Sequence, residues 1–152
     1  MSKIDELPEV LFGQEFATAI VLFEESIASK LNLNATDWRC LGIILKGSNI
    51  TAKTLTEETN LTTGAITGII DRLENKKFVQ RKKNPSDRRS IIIEPLITYK
   101  DLSKMVDPIF GSFGREMGLL FSNYNQDEII LILNFLKKFT DIIKNETKKM
   151  KS

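Results

Sequence analysis

Histidine is absent from this 152-residue chain. That removes the commonest metal ligand and the commonest general base together. No nucleophile beside a base, no phosphate loop and no metal-ligand cluster takes its place, so the chain does not read as an enzyme and no cofactor or metal is expected. Cysteine occurs once, at Cys40, which excludes an intramolecular disulfide framework. Cys40 lies among apolar residues, where a lone cysteine reads as a small core side chain and not as a reactive thiol. Apolar runs stay far below the roughly 18 residues a membrane span needs, and the chain opens with polar, acidic residues and no signal-peptide pattern. A cytoplasmic protein with no membrane partner is expected. Net charge is also slight, at +2.

The distribution of that charge is informative. Residues 1–29 carry Asp5, Glu6, Glu9, Glu15, Glu24 and Glu25 against Lys3 alone. Between Arg72 and Arg89 the balance reverses, with Lys76, Lys77, Arg81, Lys82, Lys83 and Arg88 lying between them against Glu74 and Asp87. One concentrated basic segment in a near-neutral chain points to a localised anionic partner. The length allows one domain with a substantial core.

Along the chain, Pro8 suits the first turn of a long helix. Leu11, Phe16, Ile20, Phe23, Ile27 and Leu31 then recur at helical spacing, with Phe12, Val21 and Leu22 widening the stripe. Asn34-Ala35-Thr36-Asp37 forms a capping box for a second helix, whose inner stripe is expected from Trp38, Leu41 and Leu45 with Ile44 beside it. Lys46 to Asn49 is its stop. Thr51 to Thr59 reads as a short helix anchored by Leu55, and Asn60 supplies the left-handed residue of a tight turn.

Thr62 is a natural N-cap for the next helix. Ile66, Ile69, Ile70 and Leu73 form its inner face, while Thr63, Gly64, Thr67, Gly68, Asp71 and Arg72 form the outer one. Two helices joined by a short turn, the second with a small, hydrogen-bonding outer face, make a helix-turn-helix. Each glycine within a helix costs about 1 kcal/mol against alanine, so Gly64 and Gly68 imply that something approaches the backbone closely. A phosphate backbone or base edge is one candidate; another protein helix is the other. Thr62, Thr63 and Thr67 can donate to phosphates or bases.

Two strands follow, 78–83 and 90–94, around the turn Asn84-Pro85-Ser86-Asp87. The hairpin tip presents Lys83, Arg88 and Arg89. A cationic hairpin beside a recognition helix can reach a minor groove; a solvated charge run is the plainer reading.

Residues 55–95 resemble the winged helix-turn-helix of the MarR (multiple-antibiotic-resistance regulator) family. The residues that carry the resemblance are Ala65 to Glu74, then Val79-Gln80-Arg81, then Asn84 to Arg89 with Asp-x-Arg at Asp87 and Arg89. Flanking helices extend it over nearly the whole chain. It implies a mainly α fold with a small β-wing: one domain over residues 1–152, with the DNA-binding part at 33–97 and dimerisation helices at 1–32 and 98–152. It implies a double-stranded DNA partner, with Thr62, Thr63, Gly64, Thr67, Gly68 and Arg72 at the major groove or its phosphates. Arg89 would enter the minor groove, with Arg88 and Lys83 on the backbone and Ser86 and Asp87 shaping the wing. A homodimeric repressor of a pseudo-palindromic operator, released by a small aromatic ligand, is the implied function; a winged-helix protein-interaction module without a DNA target is the alternative. By position, Phe16, Ile20, Trp38 and Phe110 are the candidate lining for that ligand. The chain departs from the family pattern at Thr56, Asn60 and Lys77, the last two standing where glycine is usual. A lysine at positive φ is strained by about 1 kcal/mol.

Beyond the hairpin, Thr98 to Asp101 is another box-like helix start. Apolar residues continue at helical spacing from Leu102 to Phe121, interrupted by Pro108 and thinned by Gly111, Gly114 and Gly118. Asn125 to Glu128 caps a last helix whose run Ile129 to Leu136 is apolar nearly all round. Such a helix needs cover on most sides, and little chain remains to provide it. A second subunit is the economical cover.

Overall fold

The computed structural model describes residues 14–87 and 89–150. The expected helix start at Pro8, with Leu11 and Phe12, lies outside them. Among the described residues there are seven helices and one two-stranded sheet. In order they are α1 (Gln14–Lys30), α2 (Ala35–Lys46), α3 (Ala52–Thr59), α4 (Thr63–Asn75), β1 (Val79–Lys83), β2 (Ile91–Pro95), α5 (Tyr99–Met105), α6 (Ile109–Phe121) and α7 (Gln126–Lys149). The chain is mainly helical with a small β-hairpin, as the sequence implies. No described helix is long and apolar enough to cross a membrane.

Local chemistry sets most element ends. Asn34, Thr51, Thr98 and Asn125 each close a capping box, satisfying backbone donors that a bare helix start leaves open. Several helix ends use left-handed residues. At the end of α1, Asn32 has φ 51°, its N–H donates to Ser29 O, and the Leu33 N–H donates to Ala28 O. The end of α4 repeats this device with Lys77 at φ 58°, Lys77 N–H to Glu74 O and Phe78 N–H to Leu73 O. The lysine therefore adopts the strained conformation that glycine would take freely.

The residues form two compact units, one ending at Asp107 and the other beginning at Pro108. In the first, Leu41, Ile44, Leu55, Ile66, Ile70, Leu73, Val79 and Leu102 are among the most buried side chains. β1 and β2 pair antiparallel, with Arg81 opposite Ile93 and Lys83 opposite Ile91. The second edge of β2 takes Ile50 and Thr51: Ile93 N–H donates to Ile50 O at 2.6 Å, and Thr51 bridges Ile92. The hairpin is thus pinned to the start of α3.

One sequence expectation is corrected. The buried face of α2 is Asp37, Cys40, Leu41 and Ile44, whereas Trp38 and Leu45 are only half-buried. The helix is rolled so that a carboxylate faces inward, which hydrophobicity alone would not choose. Its partner, Arg72, is described below.

In the second unit, Pro108 occupies the N-cap position of α6 and offers no side-chain cap, which accounts for the break after α5. Neither α6 nor α7 contains a buried residue. Leu119, Leu120, Ile130, Leu131, Leu133, Phe135 and Leu136 are all exposed. Phe135 and Phe139 stack along α7 with centroids 6.0 Å apart.

Candidate nucleic-acid interface

α4 starts with a tight turn from α3. Asn60 sits at φ 57° and donates its N–H to Thr56 O. Thr62 then caps α4 by accepting from the Ala65 N–H at 3.2 Å. Ile66, Ile69, Ile70 and Leu73 are buried, so the opposite face is fixed outward: Thr62, Thr63, Gly64 and Thr67 are exposed and Gly68 is half-buried. The Thr67 hydroxyl donates to Thr63 O at 2.9 Å. What Thr67 offers outward is therefore an acceptor oxygen and a methyl group. A side chain at Gly64 would meet nothing within 4 Å, so the space above it is open. A Cβ at Gly68 would lie 3.4 Å from Arg72 Nη1. An open groove of about 380 Å³ runs here, lined by Asn34 and Thr36 on one side and Gly64, Gly68 and Arg72 on the other.

Two sets of ion pairs hold α4. On one side, Arg72 Nε donates to both oxygens of Asp37 at 3.2 and 3.1 Å, and Nη2 donates to Oδ1 at 2.7 Å. Asp37 is 2% exposed and is the buried charged residue of the described chain. It also serves the α2 cap, donating its N–H to the Asn34 side chain at 2.8 Å. On the other side, Arg81 of β1 reaches back to α4. Its Nη2 donates to Asp71 Oδ1 at 2.6 Å, its Nη1 donates to Glu74, and its backbone N–H donates to Glu74 Oε1 at 2.9 Å. Arg81 thereby ties the hairpin to the helix. Lys82 is paired with Glu94 across the strands at 3.2 Å. Part of the basic segment seen in the sequence is thus neutralised within the fold.

The hairpin tip is built on side-chain-to-backbone bonds. Asn84 Oδ1 accepts from the Ser86 N–H at 2.9 Å, and Asp87 Oδ1 accepts from the Arg89 N–H at 3.0 Å. Ser90 closes the loop, donating its N–H to Asp87 O while Asn84 N–H donates to Ser90 O, both at 3.0 Å. Lys83, Ser86, Asp87 and Arg89 are exposed. Arg88 lies outside the described residues. Asp87 therefore acts at the backbone of Arg89, two residues on, which is the Asx geometry its side chain favours.

The candidate ligand residues fall on three elements. Phe16 and Ile20 are exposed on α1, Trp38 is half-buried on α2, and Phe110 is half-buried on α6 in the second unit. Cys40 is fully buried, and burial, with the Asp37 charge, pushes its thiol up to about 11. That keeps it protonated and unreactive at neutral pH. No group of cysteine and carboxylate side chains suited to a metal occurs among the described residues.

Sequence reasoning missed Asp37, Glu74 and Arg81 as organisers of this surface. For Asp37 a signal existed: it stands at helical spacing with Cys40, Leu41 and Ile44, the pattern of an inward face. The pairing with Arg72 spans 35 residues and had no local signature.

The family model described as MarR family matches residues 33–91. A Bacillus subtilis protein described as an uncharacterized HTH-type transcriptional regulator, YcgE, is 33% identical over 150 residues, covering 99% of this chain and 95% of that one. The fold is similar to that of a MepR mutant from a multidrug-resistant S. aureus clinical isolate, with TM-score 0.70 and 17% identity, covering 89% of this chain and 96% of that one. A different mutant of S. aureus MepR, solved bound to an oligodeoxyribonucleotide, matches with TM-score 0.56 and 18% identity over the same shares.

Proposed function

This chain belongs to the MarR family of non-enzymatic, DNA-binding transcription regulators, and on that premise we propose that it is a homodimeric repressor of a pseudo-palindromic operator. The observation that carries the DNA-reading surface is the exposed Thr and Gly face of α4, held by Arg81 to a hairpin that ends in Arg89. Thr62, Thr63 and Thr67 meet base edges and phosphates in the major groove. Gly64 and Gly68 keep the helix surface low enough for the duplex backbone to come close. Arg72, two of whose donor nitrogens are held by Asp37, offers Nη1 beside Gly68. On the wing, Arg89 enters the minor groove, Lys83 and Arg88 lie on phosphates, and Ser86 and Asp87 shape the turn. Residues 33–97 form the DNA-binding part in this reading.

Residues 1–32 and 98–152 form the dimerisation part. What supports it is the apolar surface of α1, α6 and α7, where Leu22, Leu119 and Leu131 are 56%, 63% and 69% exposed. Apolar faces this extensive signify an interface. A two-fold dimer sets two recognition helices about 34 Å apart, one helical turn of duplex. The protein acts in the cytoplasm, and a small aromatic ligand releases the operator.

The test is selection of bound fragments from a random DNA pool, with the particle mass measured by sedimentation. A dimer enriching inverted half-sites about 10 base pairs apart supports the reading. A monomer, or a pool that stays random, overturns it. Repeating the selection with phenolic compounds tests release.

A further inference from the structure

The recognition helix carries one cation, Arg72, and two anions, Asp71 and Glu74. Both anions are engaged by Arg81, and the cation is engaged by Asp37. Among these partners only Asp37 is buried; the Arg72 side chain is 50% exposed against 2% for Asp37. The guanidinium lies back along the helix over Gly68, where helical side chains naturally point, and a Cβ at Gly68 would stand in contact with its Nη1 at 3.4 Å. Of its five N–H groups, the one on Nε and one on Nη2 are committed to the carboxylate. Those on Nη1 remain on the side of the groove shared with Gly64 and Gly68. A guanidinium is planar, so fixing one edge fixes where the other edge points.

We propose that Asp37 is a specificity-determining positioning residue: its buried carboxylate aims the free edge of Arg72 at the DNA and neutralises the charge that would otherwise bind any phosphate. The carboxylate sits on α2, where Oδ2 accepts from the Asn34 backbone N–H at 3.5 Å and the Asp37 backbone N–H donates to Asn34 Oδ1, so the aim is set by the scaffold and not by α4 alone. This is support from a residue that touches no DNA, acting through one that does. A paired arginine adds direction with little net charge. An unpaired one adds charge with no direction, and charge alone gives sequence-independent affinity. The inference rests on the reading above that α4 enters the major groove.

The experiment measures affinity for the selected operator and for an unrelated duplex of equal length, each across a salt series, with thermal melts alongside. The proteins are wild type, Asp37→Asn and Arg72→Lys. Asp37→Asn is expected to lower the operator-to-unrelated ratio at least about five-fold, the scale of one misplaced base contact. Its affinity for unrelated DNA should hold or rise, and the slope of log affinity on log salt should steepen by about one. Arg72→Lys keeps the charge and loses the fork, so its ratio should fall as well; it serves alone if Asp37→Asn does not fold. A fall in both affinities together, with the ratio kept in a folded variant, overturns the inference and leaves Asp37 a merely structural residue. If wild type itself shows no salt-dependent duplex binding, the DNA reading fails first, and the proposal for Asp37 fails with it.

Discussion

Arg72 and Asp37, 35 positions apart in the chain, share three hydrogen bonds across α4 and α2, yet one is half exposed and the other is sealed from water. Removing either partner therefore has unequal consequences. In Arg72→Ala the carboxylate keeps only its bond from the Asn34 N–H, and the loss is the larger one, about 2–3 kcal/mol, moderated by water entering the space that the half-exposed side chain vacates. In Asp37→Ala the guanidinium rehydrates, and the loss is about 1–2 kcal/mol, mostly from the cap and the ion-assisted hydrogen bonds. Urea unfolding at one fixed protein concentration checks the order. Equal losses would mean that the carboxylate is not sealed.

Lys77 occupies φ 58° at the end of α4, where Phe78 N–H and Lys77 N–H close the helix terminus. Glycine fits that conformation without strain. Lys77→Gly is expected to stabilise the protein by about 1 kcal/mol, read as a raised urea midpoint with unchanged slope. Lys77→Ala, which keeps the Cβ, should give no such gain.

The local devices were legible in the sequence because their chemistry spans three or four residues. The boxes at Asn34, Thr98 and Asn125, the cap at Thr62 and the left-handed turn at Asn60 all stand where their residue types put them. The two strands were legible to within one residue of their ends. What was not legible depends on pairs far apart in the chain. The size of Trp38 argues for an inward position, whereas the helix rolls to bury Asp37 because Arg72 arrives from α4 to neutralise it. The edge pairing of Thr51 with Ile92 joins residues 41 positions apart and leaves no periodic trace. The basic run was legible as a run, but its division into cations paired within the fold, Arg81 and Lys82, and the outward Lys83 and Arg89 was not.

Glu74 holds both the backbone N–H and the guanidinium of Arg81. Exposed ion pairs add about 0–1 kcal/mol to stability, so Glu74→Ala should leave unfolding nearly unchanged. Its effect should appear in the hairpin. Hydrogen exchange at the Arg81 amide is expected to quicken, and operator affinity to fall a few-fold as the wing loses its fixed angle to α4. Undisturbed exchange would show that strand pairing alone holds the wing.

Cys40 is buried, with its thiol pushed up to about 11 from the ordinary 9.0. The folded state then keeps a proton that the unfolded chain releases above about pH 9, so this group's contribution to stability is present below that pH and is lost as pH rises from about 9 to 11. That shift corresponds to at most about 3 kcal/mol. The stability difference between wild type and Cys40→Ala should therefore shrink across that window. Native protein should resist alkylation by iodoacetamide at about pH 8, where the thiol stays protonated. Rapid alkylation would place the thiol at the surface.

The most direct test of the central claim, that α4 and the hairpin read one duplex together, is operator affinity of wild type and Arg89→Ala across a salt series. Arg89 is exposed and its backbone N–H donates to Asp87, a bond the substitution leaves in place, so its loss should leave the fold intact. The account predicts affinity lowered several-fold and a salt slope reduced by about one, the signature of a lost contact with the duplex. Unchanged affinity and an unchanged slope, in a folded variant, would contradict it.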